Sequence, residues 1–496
     1  MAFCRLTLTQ FIPSLLADFD MTKMPVSSIA LLLLLLLDLN GVSGNFFSRI
    51  IKIGRGEDSA DKPAPSGATN AMGSEAQVGS IVVFVDGVPL VHLANSNKVP
   101  LVGLGVGNMQ HEIIPLMVAE ALQPDKRIRL IDTAHASKNE HLVAEGINKG
   151  VEKLNLGDHD KVEVHVVTKV WYTHLGYERT KKSVEESLSA LQPVLDNGNV
   201  DLKIHLLLHW PRCFDNIPWM NCEGEEADLP EDIKNSGPDP TKDPEAWKES
   251  WVLLEDMYLS DKYPIASIGV SNFHVHDIEM MEAFARIHPH ILQVNLWSLL
   301  YDAELVEYCH KHRIHMQVYN AMAGTISKPE IAPRAYHHIQ KVANEISDEI
   351  DYSMTPAQVI LAWLIQHGVS VIPRTSRLQR LDENSAVALA SIPAFTDLQV
   401  ETVAHAVEAY MSGNDLEHDI HVSVSFHAVS QGIMLYWRNT KGVETRITHI
   451  PEGETFTDTT YPNHVFRTYL ASNKDVYRDH KVTANYGEHT DIHVEL

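Results

Sequence analysis

Beyond residue 80 the apolar positions fall into short runs separated by longer amphipathic stretches. Runs at 128–131, 162–170, 202–209, 265–270, 291–296, 315–319 and 369–372 are rich in Val, Ile and Leu, and the segments between them carry apolar residues at helical spacing. Counting 101–105 as the first gives eight strands, each followed by a helix. That order predicts an α/β protein with a (β/α)8 TIM barrel over residues 81–412 rather than an open sheet. Ahead of it, runs at 81–84 and 89–92 flank Asp86-Gly87, a hairpin signal, and a strand is expected over 99–105. After Gly413 the period drops to two: Ile420, Val422, Val424, Phe426 and Ala428 alternate with His421, Ser423, Ser425 and His427. This predicts a small all-β domain over 413–496, for which a sandwich is implied by a resemblance given below.

The N-terminal residues follow neither pattern. Lys23 precedes an apolar run at 29–37, and Val42-Ser43-Gly44 then offers small residues spaced as a cleavage site, so 1–44 read as a signal peptide or leader. The run falls short of the roughly 20 residues a spanning helix needs, so no stable membrane span is expected. An uncleaved anchor and a leader without export function remain alternatives, and Met21 or Met24 would give a more ordinary start. Residues 45–80, rich in Gly, Ser, Ala, Pro and acid from Gly54 onward, read as a flexible linker. The expected location is the secretory pathway or an organelle lumen.

Composition narrows the function. The chain of 496 residues exceeds one ordinary domain, and its formal net charge of −25, without a basic stripe, argues against a nucleic-acid partner. Four cysteines without a C-x-x-C pair indicate neither a zinc ribbon nor a disulfide-dense framework, although Cys213 and Cys222, near Trp210 and Trp219, could pair in an oxidising compartment. His310, His312 and His315 cross a helix end into a strand, so their side chains should diverge, and no metal site is expected. The run Gly103-Leu104-Gly105-Val106-Gly107-Asn108 lacks the last glycine of a dinucleotide fingerprint.

Candidate chemistry gathers at the C-terminal ends of the expected strands, where a barrel places its active site. Asp132 ends strand two, Lys169 strand three and His209 strand four. Three titratable groups on successive strand ends also suit a structural ion-pair layer. The surrounding motifs favour an active site. Asp132-Thr133-Ala134-His135-Ala136-Ser137-Lys138-Asn139-Glu140 resembles the aldo-keto reductase segment D-[ST]-A-x-x-Y-x-N-E. Thr168-Lys169-Val170-Trp171, Ile268-Gly269-Val270-Ser271-Asn272-Phe273 and Leu305-Val306-Glu307-Tyr308-Cys309 match further segments of that family in order.

The resemblance covers roughly residues 88–408 and implies a small carbonyl substrate, with Asp132, Lys169 and His209 as catalytic residues. It implies NADP as cofactor: Ser271, Asn272 and Gln293 at the nicotinamide carboxamide, Tyr319 stacked on its ring, and Arg374, Thr375, Arg380, Glu383 and Asn384 at the adenosine end. Arg374 for the family lysine keeps the charge and suits phosphate. The loop after Tyr319 lacks the usual proline and leucine. Ser137 stands where the family has its catalytic tyrosine. An aliphatic hydroxyl is a far poorer acid than a phenol of pKa about 10 and shorter by a ring. Losing a general acid typically costs roughly 10²- to 10⁴-fold. The expected function is therefore carbonyl reduction with a non-standard proton donor. The alternative is a weak or inactive NADP(H)-binding pseudo-reductase with a protein-binding module.

That module would be the C-terminal domain. Residues 433–439, 450–453 and 460–467 resemble the β domain of the von Hippel-Lindau protein, in which the sandwich reads hydroxyproline in a partner chain. Thr460 and His464 fall at pocket-like positions, Phe466 replaces a tryptophan, and Ile447 lies near an expected tyrosine. A protein partner is implied, whereas a β module packed on the barrel or binding another ligand is the plainer reading.

Overall fold

The computed structural model describes residues 82–260, 262–322, 329–350, 352–411, 422–438, 444–460, 464–483 and 489–496. The leader, its apolar run and the linker lie outside these residues, as do Ile81, Ile420 and His421. Among the described residues no helix is long and apolar enough to cross a membrane.

Asp86 and Gly87 both take positive φ, 49° and 76°. That conformation matches the right-handed twist of a tight hairpin, and it joins β1 (Val83–Val85) to β2 (Val88–His92). β3 (Lys98–Pro100) pairs with β2, and the chain leaves the ladder at Leu101 and Val102 before β4 (Gly103–Gly105). The single strand expected over 99–105 is thus two strands in two sheets. Asn95 and Asn97 donate to the Ala266 carbonyl at 2.8 and 2.7 Å, which sets the small sheet at the N-terminal end of the barrel, away from the C-terminal strand ends.

The barrel continues through β5 (Leu130–Asp132), β6 (Val162–Val170), β7 (Val200–Leu208), β8 (Ile265–Ser271), β9 (Ile291–Asn295), β10 (His315–Tyr319) and β11 (Ser370–Val371). Each strand runs parallel to the next, and a bridge from Val102 to Val371, with Val371 N–H donating to the Leu101 carbonyl at 2.8 Å, closes the circle. The (β/α)8 expectation holds. Its second strand lies later than expected, at Leu130–Asp132 rather than 128–131, and His209 follows the end of β7 by one residue.

Local sequence explains the tight packing around these strands. Gly269 meets the Ile291 carbonyl so closely that a Cβ would collide with it, which holds β8 against β9. Gly146 and Gly150 on helix Glu140–Lys153 let it approach Val118 and Ala119 of helix Ile114–Ala121. A Thr355–Gln358 capping box, with Pro356 in the first turn, starts helix Pro356–Gln366.

The barrel strands also carry a buried polar belt. His165 Nε2 lies 3.1 Å from Glu163 Oε1, its Nδ1 3.0 Å from His205 Nε2, and His205 Nδ1 2.7 Å from Ser267 Oγ. Further round, His315 Nε2 meets Ser370 Oγ at 2.7 Å, and that hydroxyl donates to the Pro100 carbonyl at 3.0 Å. His312 instead stacks on Tyr308, with centroids 4.1 Å apart, so the histidine-rich run does diverge.

The C-terminal residues form β12 (Val422–Ala428), β13 (Ile433–Arg438), β14 (Glu444–Ile450), β15 (Thr455–Thr460), β16 (Val465–Leu470), β17 (Asn473–Lys481) and β18 (His489–Val494). They pair as two sheets, β15-β12-β18 and β14-β13-β16-β17. Val422, Val424, Phe426 and Ala428 point into a core with Ile433, Leu435, Ile450 and Phe466, as the alternation requires. Phe466 lies 5.0 Å from Phe426, ring to ring, and so fills the core. His464 Nδ1 meets Thr460 Oγ1 at 2.9 Å, and its Nε2 meets Glu401 Oε2 of helix Asp397–Met411 at 3.3 Å. Both pocket-like residues are therefore engaged, one of them by the last barrel helix.

Candidate active site

Parallel strands leave their C-terminal ends on one rim, and there a cavity of about 1120 Å³ opens. Asp132, Lys169, His209 and Ser137 all line it, with Asn272, Gln293, Tyr319, Arg374, Arg380 and Asn384. Ser271, Thr375 and Glu383 do not. Ser271 is buried behind the wall, where its Oγ accepts from Asn272 Nδ2 at 3.1 Å. Thr375 accepts the Arg377 N–H at 3.1 Å and shapes the following turn, and the Glu383 carbonyl accepts from Gln358.

The centre of the network is a buried ion pair. Lys169 Nζ donates to Asp132 Oδ2 at 2.7 Å and to the Thr133 carbonyl at 2.8 Å, while Gln293 Nε2 donates to the same carboxylate oxygen at 2.8 Å. The ammonium has three N–H groups, so two are committed. Gln293 also donates to Gln317 Oε1 at 2.6 Å. Each charge thus has a partner and further hydrogen bonds, which a pair at this depth requires.

The loop after β5 is fixed by its own motif. Thr133 Oγ1 donates to Asn139 Oδ1 at 2.5 Å, Asn139 Nδ2 to the Val106 carbonyl at 3.2 Å, and Thr168 Oγ1 to Glu140 Oε1 at 2.5 Å. These anchors, with Lys138 at a positive φ of 49°, hold position 137 at the cavity. Its hydroxyl faces Gly107 there.

His209 sits against Trp171, ring centroids 4.9 Å apart. Its Nδ1 is sealed from solvent and has no partner among the described residues, so the cavity-facing edge carries Nε2. Burial, reinforced by the Lys169 charge, holds the imidazole well below its usual pKa, and it is neutral at pH 7. Tyr319 Oη donates to Asn272 Oδ1 at 2.7 Å, and Asn272, at a positive φ of 58°, donates to the His209 carbonyl at 3.0 Å. Burial raises the Tyr319 phenol pKa. At the far end, Arg374 Nη1 donates to the Gly107 and Asn108 carbonyls at 3.0 and 3.3 Å, leaving most of an exposed guanidinium beside Arg380 and Asn384.

The opposite wall is aromatic. Trp171, Trp210 and Trp219 line it. Trp171 Nε1 donates to Glu225 Oε2 at 2.7 Å. Cys213 and Cys222 are bonded, with Cα atoms 5.8 Å apart, closing the loop that carries Trp219. Buried Arg179 makes a bidentate pair with Glu226 at 2.9 and 3.0 Å and also donates to the Thr173 and Lys234 carbonyls. The part played by Trp171 and Trp219 was not read from the sequence. The signal was the density of aromatic residues just past two strand ends.

A sequence profile described as Aldo/keto reductase family matches residues 109–408, more than half of the chain. An uncharacterized oxidoreductase of Bacillus subtilis is 30% identical over 297 residues, 60% of this chain and 85% of that protein. Glyoxal reductase from the same organism is 30% identical over 303 residues, 60% of this chain and 86% of that protein. Among solved structures, a Bombyx mori aldo-keto reductase in complex with NADP is similar with a TM-score of 0.48 and 23% identity, covering 65% of this chain and 92% of that one. The chain belongs to the aldo/keto reductase family.

Proposed function

We propose that this protein is an NADP-dependent oxidoreductase that reduces small carbonyl compounds with a proton donor other than the family tyrosine. One observation carries the reading: the Lys169–Asp132–Gln293 network is complete at the cavity although position 137 is serine. The cavity also suits the nucleotide, because the exposed guanidinium groups of Arg374 and Arg380 at its far end match an adenosine phosphate. Arg374, Arg380 and Asn384 would hold that end, and Tyr319, Asn272 and Gln293 the nicotinamide. Ser271, Thr375 and Glu383 would act from behind. When bound, NADPH supplies the hydride.

The chain's own residues must then orient the carbonyl and supply a proton. His209, being neutral, donates a hydrogen bond to the carbonyl oxygen through Nε2–H and fixes the substrate's direction. Lys169 Nζ uses two of its protons on Asp132 and Thr133. The third is left for the substrate, and it passes to the alkoxide oxygen directly or across one water. Ser137, shorter by a ring than a tyrosine, leaves the cavity open at that point to substrate or water.

The second reading, a pseudo-reductase that binds NADP(H) for an attached module, is favoured by the missing phenol alone. We also infer that the C-terminal sandwich is a protein-binding module similar to the von Hippel-Lindau β domain, supported by the motifs at 433–439, 450–453 and 460–467. A location in the secretory pathway or an organelle lumen is supported by the Cys213–Cys222 bond. The catalytic reading is tested by incubating the protein with NADPH deuterated at the nicotinamide C4 and a panel of aldehydes. Deuterium on the carbinol carbon is expected, and bound NADPH without label transfer favours the pseudo-reductase.

A further inference from the structure

Trp219 is 60% exposed yet lines the active-site cavity, an unusual position for the largest apolar side chain. Its place is built rather than incidental. The Cys213–Cys222 bond closes a short loop around it, Met220 and Cys222 beside it are buried, and the Arg179–Glu226 pair ties the following helix, Cys222–Ala227, to the barrel. The indole of Trp219 is inclined by 28° to that of Trp171, centroids 6.4 Å apart, and meets Trp210 edge-on at 5.8 Å. Three indoles therefore form a corner, and the outer one keeps much of its surface uncovered.

The chemistry of this corner selects its ligand. Lys169 and Asp132 neutralise each other below it, and Arg374 and Arg380 belong to the far end of the cavity. Arg212, the nearest cation in sequence, is committed to Asp277 at 3.0 Å and to the face of Phe214. A phosphate or carboxylate on the substrate finds no free cation among the described residues of this wall. A flat, neutral aromatic ring gains a stacking surface on each indole. Ser137, lacking the phenol, leaves room for such a ring to reach Lys169 and His209.

We propose that Trp219, held by the Cys213–Cys222 bond, is the specificity-determining wall of the site and selects neutral aryl carbonyl compounds over aliphatic aldehydes and sugars. The inference deepens the oxidoreductase reading and rests on it only for the carbonyl. Trp219 does not touch the reacting atoms. It lowers the dissociation constant and KM of the aryl substrate without altering kcat.

The test is a pair of calorimetric titrations on the full chain. NADP⁺ alone reports the oxidoreductase reading, and 2-naphthaldehyde, with and without NADP⁺ and with no hydride to consume it, reports the wall. Trp219→Ala should weaken 2-naphthaldehyde roughly tenfold or more and leave propanal and NADP⁺ unchanged, while Trp219→Phe should stay within about threefold. The Cys213→Ser, Cys222→Ser double variant should show the same selective loss as Trp219→Ala. Unaltered 2-naphthaldehyde binding in Trp219→Ala, or an equal loss for propanal, overturns the proposal whether or not NADP⁺ binds.

Discussion

Acidification should destabilise the barrel through histidines buried in their neutral form. Burial pushes His290 and His315 down to about 4. It also lowers His165 and holds His205 well below its usual value. The unfolded chain titrates near 6.5, so below that pH it binds protons that the folded barrel refuses. The stabilisation is complete above about pH 6.5 and falls away between there and about 4. For one group moved from roughly 6.5 to about 4, linkage gives a loss of about 2 kcal/mol between pH 7.5 and 5. His290 and His315 together contribute about 4 kcal/mol, and His165 and His205 act in the same direction. Glu408 opposes them: burial raises it to about 7, so its protonation returns about 2 kcal/mol over the same interval. Guanidinium unfolding at pH 7.5, 6 and 5, followed by the fluorescence of the buried Trp247 and Trp251, measures the net slope. His315→Gln can keep the bond to Ser370 without titrating, so its own stability loss over this range should be about 2 kcal/mol smaller than that of the parent. Identical pH slopes for parent and variant would mean that burial of a neutral His315 does not set the acid sensitivity.

Other perturbations act on the site itself. Lys169→Met leaves Asp132 buried without its cation and should cost about 3–5 kcal/mol of stability. Adding Asp132→Asn should restore much of that in a melting experiment without restoring turnover. Ser137→Tyr returns a phenol beside Lys169 and should raise the single-turnover rate by roughly 10²- to 10⁴-fold; no gain would mean that Lys169 is misplaced for a family-type relay. Arg374→Ala with Arg380→Ala should weaken NADPH roughly tenfold or more while sparing NADH, read by quenching of protein fluorescence. Equal losses for both nucleotides would detach these arginines from the 2'-phosphate.

The barrel was legible because parallel strands buried on both faces leave unbroken Val, Ile and Leu runs, and because helices separate them at regular intervals. The break at Leu101 and Val102 was not, since both halves are apolar and only pairing partners distinguish β3 from β4. β11, two residues long, is shorter than the apolar run at 369–372 that marks it. Asp132, Lys169 and His209 were readable as polar ends of apolar strands. Gln293 as a donor to Asp132 was not, because that contact joins residues 161 positions apart. The interior histidines were absorbed into strand patterns, since a neutral ring in a hydrogen-bonded belt occupies an apolar position without disturbing the period. The Glu401–His464 contact joins the barrel and the sandwich through side chains that neither pattern marks.

Hydride transfer supported by the network around Lys169 without a tyrosine has a direct kinetic signature. Single-turnover oxidation of stoichiometric NADPH with reactive aryl aldehydes and quinones, followed at the nicotinamide absorbance, reads it. A slow decay is expected with the parent protein and should be lost in Lys169→Met. Bound NADPH that stays reduced in both, or an equal decay in both, would rule out Lys169 as the proton source for hydride transfer.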